Sequence, residues 1–185
     1  DKDSIDTYTN YFFKKYKVNK KHIILADINF IKSKDIPNGD VVVGGFPCQG
    51  FSIANLYRKD KRESETKNNV LYKQLIKVIR VKKPKYFIAE NVPGILSLGG
   101  YENDQDKKVK EGRIMKIILK EMRSIGYRVK WKILNAAEFG VPQSRKRVIF
   151  LGTRKDLKKD FIHPFPTHSI EDDLYLKKTP SLWSA

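Results

Sequence analysis

The chain has 185 residues, enough for one domain with a hydrophobic core and a little more. Hydrophobic residues make up 40% and charged residues 32% of the sequence, which excludes a bilayer-embedded protein and an intrinsically disordered chain. Lys and Arg outnumber Asp and Glu by 38 to 21, and the net charge of +17 predicts a polyanionic partner such as DNA, RNA or an anionic membrane. The alternative interpretation of the same charge is the lysine-rich composition typical of an organism with an AT-rich genome.

The sequence also indicates a cellular compartment. The longest apolar runs are IILA, VVV and VIFL, whereas about 18–20 apolar residues are needed to span a bilayer. No secretory leader is visible at the start of the chain. Cys48 is the only cysteine, which excludes an internal disulfide and a cysteine-clustered metal site. We therefore expect a cytoplasmic protein that binds neither a membrane nor a metal ion.

Helices and strands alternate along the first part of the chain. Residues 3–16 place apolar side chains on one helical face. Residues 22–26 predict a short buried strand that ends at Asp27, and residues 40–45 (DVVVGG) predict a β-branched strand that runs into glycine. The polar composition of residues 46–67, which carry both signs of charge, predicts a long loop.

The middle of the chain continues this alternation. Its predicted elements are a helix at 69–82, a strand at 85–89, a turn at 91–94, a mobile-looking segment at 99–111 and a helix at about 112–125. Pro84 ends the first of these helices, and Gly126 ends the second. Glu90 closes the strand between them.

The periodicity then changes to two. Residues 127–134 alternate apolar and basic side chains, and residues 147–152 form a second apolar strand, with a connection long enough to return the chain antiparallel. Residues beyond about 156 show no clear period and are interpreted as a linker. The whole pattern predicts a layered α/β fold with a mostly parallel sheet and an antiparallel pair at one edge.

Three side chains with chemical potential follow predicted strands. Asp27, Cys48 and Glu90 all lie at or just past strand ends, where ligands bind in sheets of this kind. Cys48 stands in GGFPCQGFS, where flanking glycines and proline present the thiol; an inert cysteine in a turn is the alternative. Glu90 opens ENVPG and is either a cap for the next turn or a site acid.

A basic run supplies a further candidate. Gln143, Arg145 and Arg147 stand in QSRKR, and the alternate spacing of the arginines puts both on one side of an extended segment. The planar guanidinium suits phosphates and base edges. A solvated basic edge is the alternative interpretation.

These segments together resemble the motifs of cytosine-C5 DNA methyltransferases, the bacterial modification methylases. FPCQGFS, ENV and QSRKR stand in the order and at the intervals of that family. DKDSIDTYTNYF resembles the helix after the family's cofactor-ribose acid, and DI at 27–28 resembles its adenine-binding dipeptide. NAAEFGVPQSRKRVIFLG resembles the block that ends its catalytic domain. The resemblance covers nearly all of residues 1–155.

The resemblance implies a Rossmann-like, S-adenosylmethionine-dependent methyltransferase sheet with an antiparallel edge pair, incomplete at the N-terminus. Residues 1–155 would be part of a catalytic methyltransferase domain, and residues 156–185 would be a linker toward a target-recognition domain. The family's glycine-rich cofactor loop and ribose-binding acid would precede Asp1. We therefore expect these 185 residues by themselves to be inactive.

The resemblance also implies a role for each candidate residue. Cys48 would add to C6 of cytosine, and Glu90 would contact N3 and the exocyclic amine of the flipped base. Arg147 would reach the base O2, and Arg145 would support the thiol loop and a nearby phosphate. The implied cofactor-binding residues, for S-adenosyl-L-methionine, are Asp27, Ile28, Pro47 and Leu71. The implied DNA-binding residues are Gln49, Ser52, Gln143 and Arg145.

The implied reaction is methyl transfer from S-adenosyl-L-methionine to C5 of a cytosine flipped out of double-stranded DNA. The resemblance further implies a monomeric enzyme of a restriction–modification system, with a restriction endonuclease as partner. Three alternatives are C5 methylation of tRNA, a non-catalytic DNA-binding module, and one subunit of a split methylase. The intact set of Cys48, Glu90 and Arg147 argues against the non-catalytic module.

Overall fold

The chain divides into two units, Asp1–Asn38 and Gly39–Ala185. The structure is a computed structural model that describes residues 2–17, 23–47, 71–169, 171 and 176–181. None of the described helices is both long and apolar enough to cross a membrane.

The first unit contains helix α1 (Lys2–Tyr16) and a 3-10 turn at Ser33–Asp35. The predicted helix at 3–16 is confirmed, and aromatic side chains four residues apart stack along it, with 4.4 Å between the ring centroids of Tyr8 and Phe12. The predicted strand at 22–26 is wrong for its described residues 23–26, which have no strand pairing. The described part of this unit contains a helix and turns but no strand with which residues 23–26 could pair.

The second unit is built on a four-stranded sheet. Its elements are β1 (Val41–Gly45), α2 (Leu71–Lys82), β2 (Tyr86–Asn91), a 3-10 turn at Pro93–Leu96, α3 (Asp104–Val109), α4 (Arg113–Ser124), β3 (Tyr127–Asn135), a 3-10 turn at Ala136–Phe139, β4 (Lys146–Arg154), β5 (His168–Ser169) and β6 (Lys177–Lys178). The strand order in the four-stranded sheet is β1-β2-β4-β3.

The pairing directions in this sheet test the predicted topology. Strand β1 pairs with β2 in parallel, whereas β4 is antiparallel to both β2 and β3. The predicted antiparallel pair is therefore confirmed. The expectation of a mostly parallel sheet is wrong for the described strands, because β4 returns between β2 and β3 and so makes two antiparallel ladders.

One face of the sheet is covered by α2 and α4. Ile79 of α2 and Met115 and Ile118 of α4 are fully buried in the same cluster as Phe87 and Phe150 of the sheet. Their helical spacing explains this packing, since residues three and four apart share one face of a helix. The predicted helices at 69–82 and about 112–125 are thus confirmed within their described residues.

A tyrosine links these two helices at the edge of the core. The Tyr72 hydroxyl donates a hydrogen bond to Glu121 Oε1 at 3.2 Å, and the Tyr72 ring packs 6.2 Å from that of Phe46. Burial, together with the neighbouring Glu121 carboxylate, raises the pKa of Tyr72 well above its usual range. The raised pKa keeps the hydroxyl protonated, and so a hydrogen-bond donor to Glu121, at neutral pH.

The opposite face of the sheet carries the segment after β4. Arg128 donates to Asp160 Oδ1 at 2.7 Å and to the carbonyl oxygens of Lys155 and Leu157. The backbone N–H of Phe161 donates to the buried Thr153 hydroxyl at 2.8 Å. Paired charges hold the pKa of Asp160 below its usual range, because Lys130 and Arg128 both donate to its carboxylate. This part of the chain is thus tied to the sheet by side-chain bonds rather than by a regular ladder.

Helix α3 lies within the segment that the sequence suggested to be mobile. Asn103 caps it, with its side-chain oxygen accepting from the Asp106 N–H at 2.9 Å. The buried Asp106 carboxylate in turn accepts from Lys116 Nζ at 2.6 Å, which joins α3 to α4. Hydrogen bonds of Asp106 with Asn103 and with Lys116 therefore order this segment. Its helix is too short and too polar to show a hydrophobic period in the sequence.

Gly152 is required for the close approach of β4 to the Phe87 ring. A Cβ at this position would overlap that ring, which is itself fully buried. We expect Gly152→Ala to lower the free energy of unfolding by about 1–3 kcal/mol, the usual cost of overpacking a core. Urea unfolding of the variant measures this loss. Gly94→Ala is the matched control, because its Cβ would meet no atom within 4 Å; equal losses in the two variants would contradict the packing argument.

Candidate active site

The carboxyl ends of β1 and β2 meet at one edge of the sheet. Their parallel register pairs Gly45 with Glu90, so the segment after β1 lies beside the Glu90 side chain. An open cleft of about 330 Å³ lies there. Its lining residues are Gly45, Phe46, Pro47, Glu90, Asn91, Val92, Arg145 and Arg147. The cleft therefore gathers residues from all three motifs, GGFP, ENV and RKR.

Glu90 and Arg147 form an ion pair at the centre of this cleft. Arg147 Nε lies 2.7 Å from Glu90 Oε1, and Arg147 Nη1 also donates to the Lys146 carbonyl oxygen at 2.8 Å. The side chains are 42% exposed for Glu90 and 25% for Arg147, so both remain accessible to a ligand. The sequence predicted both residues for the site, and the structure places them in direct contact.

Gly45 makes room for the Glu90 carboxylate. A Cβ on Gly45 would stand 3.2 Å from Glu90 Oε2, closer than almost all real Cβ contacts. Glycine at this position therefore spares the Glu90 carboxylate a close contact with strand β1, which a side chain there would relieve only by a shift of a few tenths of an ångström. A side chain at this position would push the carboxylate away from its present place in the cleft.

Asn91 connects the two strand ends beneath the cleft. Its buried side chain donates from Nδ2 to the Phe46 carbonyl oxygen at 2.8 Å, and its Oδ1 accepts from the Val92 N–H at 2.8 Å. It thereby holds the backbone two residues before Cys48. Its place in ENVPG predicts a turn residue, but Asn91 is the last residue of β2. Alternation along YFIAEN gives the signal, because it puts Asn91 on the same inward face as Phe87.

Arg145 and Gln143 differ in their relation to the cleft. Arg145 lines it, and its backbone N–H donates to Asn135 Oδ1 at 2.9 Å. Gln143 is exposed in the preceding turn, where its N–H donates to the Val141 carbonyl oxygen at 2.7 Å, and it does not line the cleft. Asn135 was not among the predicted site residues. Its place at the end of an alternating strand was the only feature of the sequence that pointed to a role at the site.

The remaining predicted residues are distributed over the chain. Pro47 lines the cleft, and Leu71 begins α2 as a half-buried residue outside the cleft lining. Asp27 and Ile28 belong to the first unit, where Asp27 Oδ1 accepts from the Asn29 N–H at 2.9 Å. Cys48, Gln49 and Ser52 lie outside the described residues.

The side chains of Asp27 and Ile28 have the chemistry needed to bind the adenine end of a nucleoside cofactor. The carboxylate is exposed and stands beside the half-buried, apolar Ile28. A carboxylate oxygen can accept from an exocyclic amine, while an aliphatic side chain packs against the flat base. This chemistry matches the role that the sequence implied for the pair.

Comparison with solved structures defines the class of protein. The chain is similar to a putative DNA modification methyltransferase encoded within a prophage of E. coli, with a TM-score of 0.50 and 25% identity over 74% of this chain and 35% of that one. The mixed α/β architecture is accordingly that of a Rossmann-like methyltransferase.

Sequence comparison then identifies the family. The profile of the C-5 cytosine-specific DNA methylase family matches residues 5–184. A type II methyltransferase of Bacillus subtilis, M.BsuRI, is 37% identical over 93% of this chain and 37% of its own length. M.NgoFVII of Neisseria gonorrhoeae is 40% identical over 80% of this chain and 36% of its own length. The chain belongs to the C-5 cytosine-specific DNA methylase family, and it spans just over a third of the length of these two relatives.

Proposed function

We propose that the protein transfers a methyl group from S-adenosyl-L-methionine to C5 of cytosine in double-stranded DNA. The observation that carries the proposal is the cleft in which the Glu90–Arg147 pair and Arg145 converge beside Pro47, one residue before Cys48. A thiol, a carboxylate and two guanidinium groups are the groups that this reaction requires. Family membership supports the same reaction.

The chemistry begins with a covalent bond to the base. C5 of cytosine is too weak a nucleophile to take a methyl group by itself. The Cys48 thiolate forms a bond to C6, while Glu90 hydrogen bonds to N3 and the exocyclic amine and supplies the proton that N3 gains. The electron pair of the C5–C6 double bond becomes available at C5. Arg147 holds the base O2, and the positive charge of Arg145 favours thiolate over thiol.

The cofactor supplies an electrophilic methyl group on a sulfonium centre. Asp27, Ile28, Pro47 and Leu71 are the residues proposed to hold it. Transfer of the methyl group leaves the cofactor's sulfur as a neutral thioether. The C5 proton is then lost to a solvent base, the S–C6 bond breaks with its electron pair returning to sulfur, and N3 gives its proton back to Glu90. These steps restore the aromatic ring, the free thiolate and the general acid. Cys48 thus ends the cycle as it began and is not consumed.

The substrate must leave the DNA stack to reach the cleft. Base extrusion costs a few kcal/mol, which contacts to the displaced base and its flanking phosphates offset. Gln49, Ser52, Gln143 and Arg145 are proposed to make the DNA contacts. When the extruded base is bound in the cleft, it occupies the space at Glu90 and Arg147. The ion pair between these side chains then rearranges so that both contact the edge of the base.

The same proposal extends to the surroundings of the reaction. Residues 1–155 would be part of the catalytic domain, and residues 156–185 would lead toward a target-recognition domain. The enzyme would act as a monomer within a restriction–modification system whose endonuclease cuts the unmethylated site. DNA is favoured over tRNA as substrate by the family description.

A methyl-transfer assay tests the proposal. The full-length protein would be incubated with labelled S-adenosyl-L-methionine and either duplex DNA or tRNA, and the modified nucleosides would be separated by chromatography. We expect 5-methylcytosine in the DNA and none in the tRNA. DNA in which every cytosine is already 5-methylated is the control and should accept no label. Label in tRNA alone, or on another base, would contradict the proposal.

A further inference from the structure

Asn135 ends strand β3 directly beneath the basic run. Asn135 is buried, with 4% of the residue exposed. Its Oδ1 accepts from the Arg145 N–H at 2.9 Å and, less closely, from the Ala137 N–H at 3.4 Å. A buried amide is retained where its hydrogen bonds are satisfied, and here its main partner is the backbone of a cleft residue.

Arg145 is held through its backbone on both sides. Its N–H donates to Asn135 Oδ1, and its carbonyl oxygen accepts from the Ala136 N–H at 3.1 Å. Strand β4 begins with the next residue, Lys146, which pairs with Asn135 in the ladder. Asn135 therefore determines how the chain enters β4.

The two arginines depend on this backbone to different degrees. The Arg147 side chain is oriented by Glu90 and by the Lys146 carbonyl oxygen. By contrast, the Arg145 guanidinium has no hydrogen-bond or ion-pair partner among the described residues. The place of Arg145 in the cleft lining thus depends on where its backbone lies, and the Asn135 side chain bonds to that backbone.

We propose that Asn135 is a positioning residue that acts through Arg145, by holding the backbone that places Arg145 in the lining of the cleft. The inference rests on the proposed function and names a residue that the reaction itself does not touch. A side chain with an acceptor oxygen at this place is what the arrangement requires. Errors of about 1 Å in the placement of a catalytic group cost on the order of a hundredfold in rate.

Three substitutions test the requirement for the acceptor. Asn135→Leu removes the acceptor at similar size, whereas Asn135→Asp keeps an oxygen there in either protonation state. The matched control is Asn103→Leu, which removes the same kind of bond from the cap of α3, outside the cleft lining. We expect the single-turnover methylation rate to fall about tenfold to a hundredfold in Asn135→Leu. The rates of Asn135→Asp and of Asn103→Leu should stay within a few-fold of wild type.

A double-mutant cycle separates positioning from general damage. If Asn135 acts through Arg145, Asn135→Leu should cost little further rate in an Arg145→Ala background, because the group it positions is already gone. A purely structural effect would multiply the two losses. Hydrogen exchange of the Arg145 amide gives a readout independent of activity: protection should be lost in Asn135→Leu and kept in Asn135→Asp.

The outcomes distinguish this inference from the proposed function. A wild-type protein that leaves cytosine unmethylated overturns the proposed function, and the role in methylation falls with it. An active wild type with an equally active Asn135→Leu variant overturns the inference alone. The inference is also overturned if the rate losses of Asn135→Leu and Arg145→Ala multiply in the double variant. It is overturned as well if the Arg145 amide stays protected from hydrogen exchange in Asn135→Leu.

Discussion

We expect Cys48→Ser to abolish the covalent complex between the full-length protein and duplex DNA that carries 5-fluorocytosine at the target base. In the wild-type protein the thiolate bonds to C6 and the methyl group is transferred to C5, but fluorine cannot leave C5 as a proton does. The S–C6 bond therefore persists. A serine hydroxyl is far less ionised near neutral pH than a thiol and forms no such bond. Denaturing electrophoresis of labelled DNA measures the trapped complex.

The sequence itself simplifies this experiment. Cys48 is the only cysteine of the chain, so an adduct through another thiol of these residues is excluded. DNA with ordinary cytosine serves as the control, since it releases the enzyme after each turnover. Thermal unfolding of the variant should match wild type. An adduct of equal yield in Cys48→Ser would remove the nucleophile from the proposed mechanism.

Local patterns predicted the elements that build the cleft. The alternation of residues 127–134 identified β3, and helical spacing identified α2 and α4, because burial of one face dictates both periods. Because ligands bind at the carboxyl ends of strands, the position of Glu90 at the end of a strand predicted that it belongs to a functional site. The sequence did not show which residues lie next to it. The contact of Glu90 with Arg147 agrees with that expectation, although these residues are far apart in the chain.

Non-local pairing was the part that the sequence did not reveal. Strand β4 lies between β2 and β3, which no local pattern specifies, and this order makes two of the three pairings in the four-stranded sheet antiparallel. The run at 23–26 is apolar enough for a strand, yet a strand also needs a hydrogen-bonded neighbour. The hydrophobic period of a segment predicts which of its side chains are buried, but it does not predict which other segment packs against them.

Buried polar side chains were missed for a related reason. Asn91 and Asn135 both end strands, where asparagine is usually interpreted as a turn residue. Each instead turns inward and bonds to backbone outside its own strand: Asn91 donates to the Phe46 carbonyl oxygen, and Asn135 accepts from the Arg145 N–H. Their function is visible only once the strands have been placed side by side. Both hold backbone that leads directly to a residue of the proposed reaction.

Glu90→Gln should lower the single-turnover rate of methyl transfer by about 10²–10⁴-fold, the usual contribution of a general acid. Glutamine keeps the size of the side chain and a hydrogen bond to the base, but it cannot give a proton to N3. It also ends the charge pairing with Arg147, which lies 2.7 Å away in wild type. DNA affinity should change only a few-fold, because phosphate contacts dominate it. Rapid-quench kinetics and fluorescence anisotropy measure the two quantities on the same protein.

The matched control for that variant is Glu111→Gln. Glu111 also uses its carboxylate in a side-chain bond, accepting from Trp131 Nε1 at 2.9 Å, but it lies outside the cleft lining. Glutamine retains an acceptor oxygen for that bond, so both rate and affinity should stay near wild type. A loss in Glu90→Gln alone therefore reports the loss of the Glu90 carboxyl group in the cleft, through proton donation to the base and pairing with Arg147. A near wild-type rate in Glu90→Gln would instead reduce Glu90 to a cap at the end of β2, with its carboxylate serving only to orient Arg147.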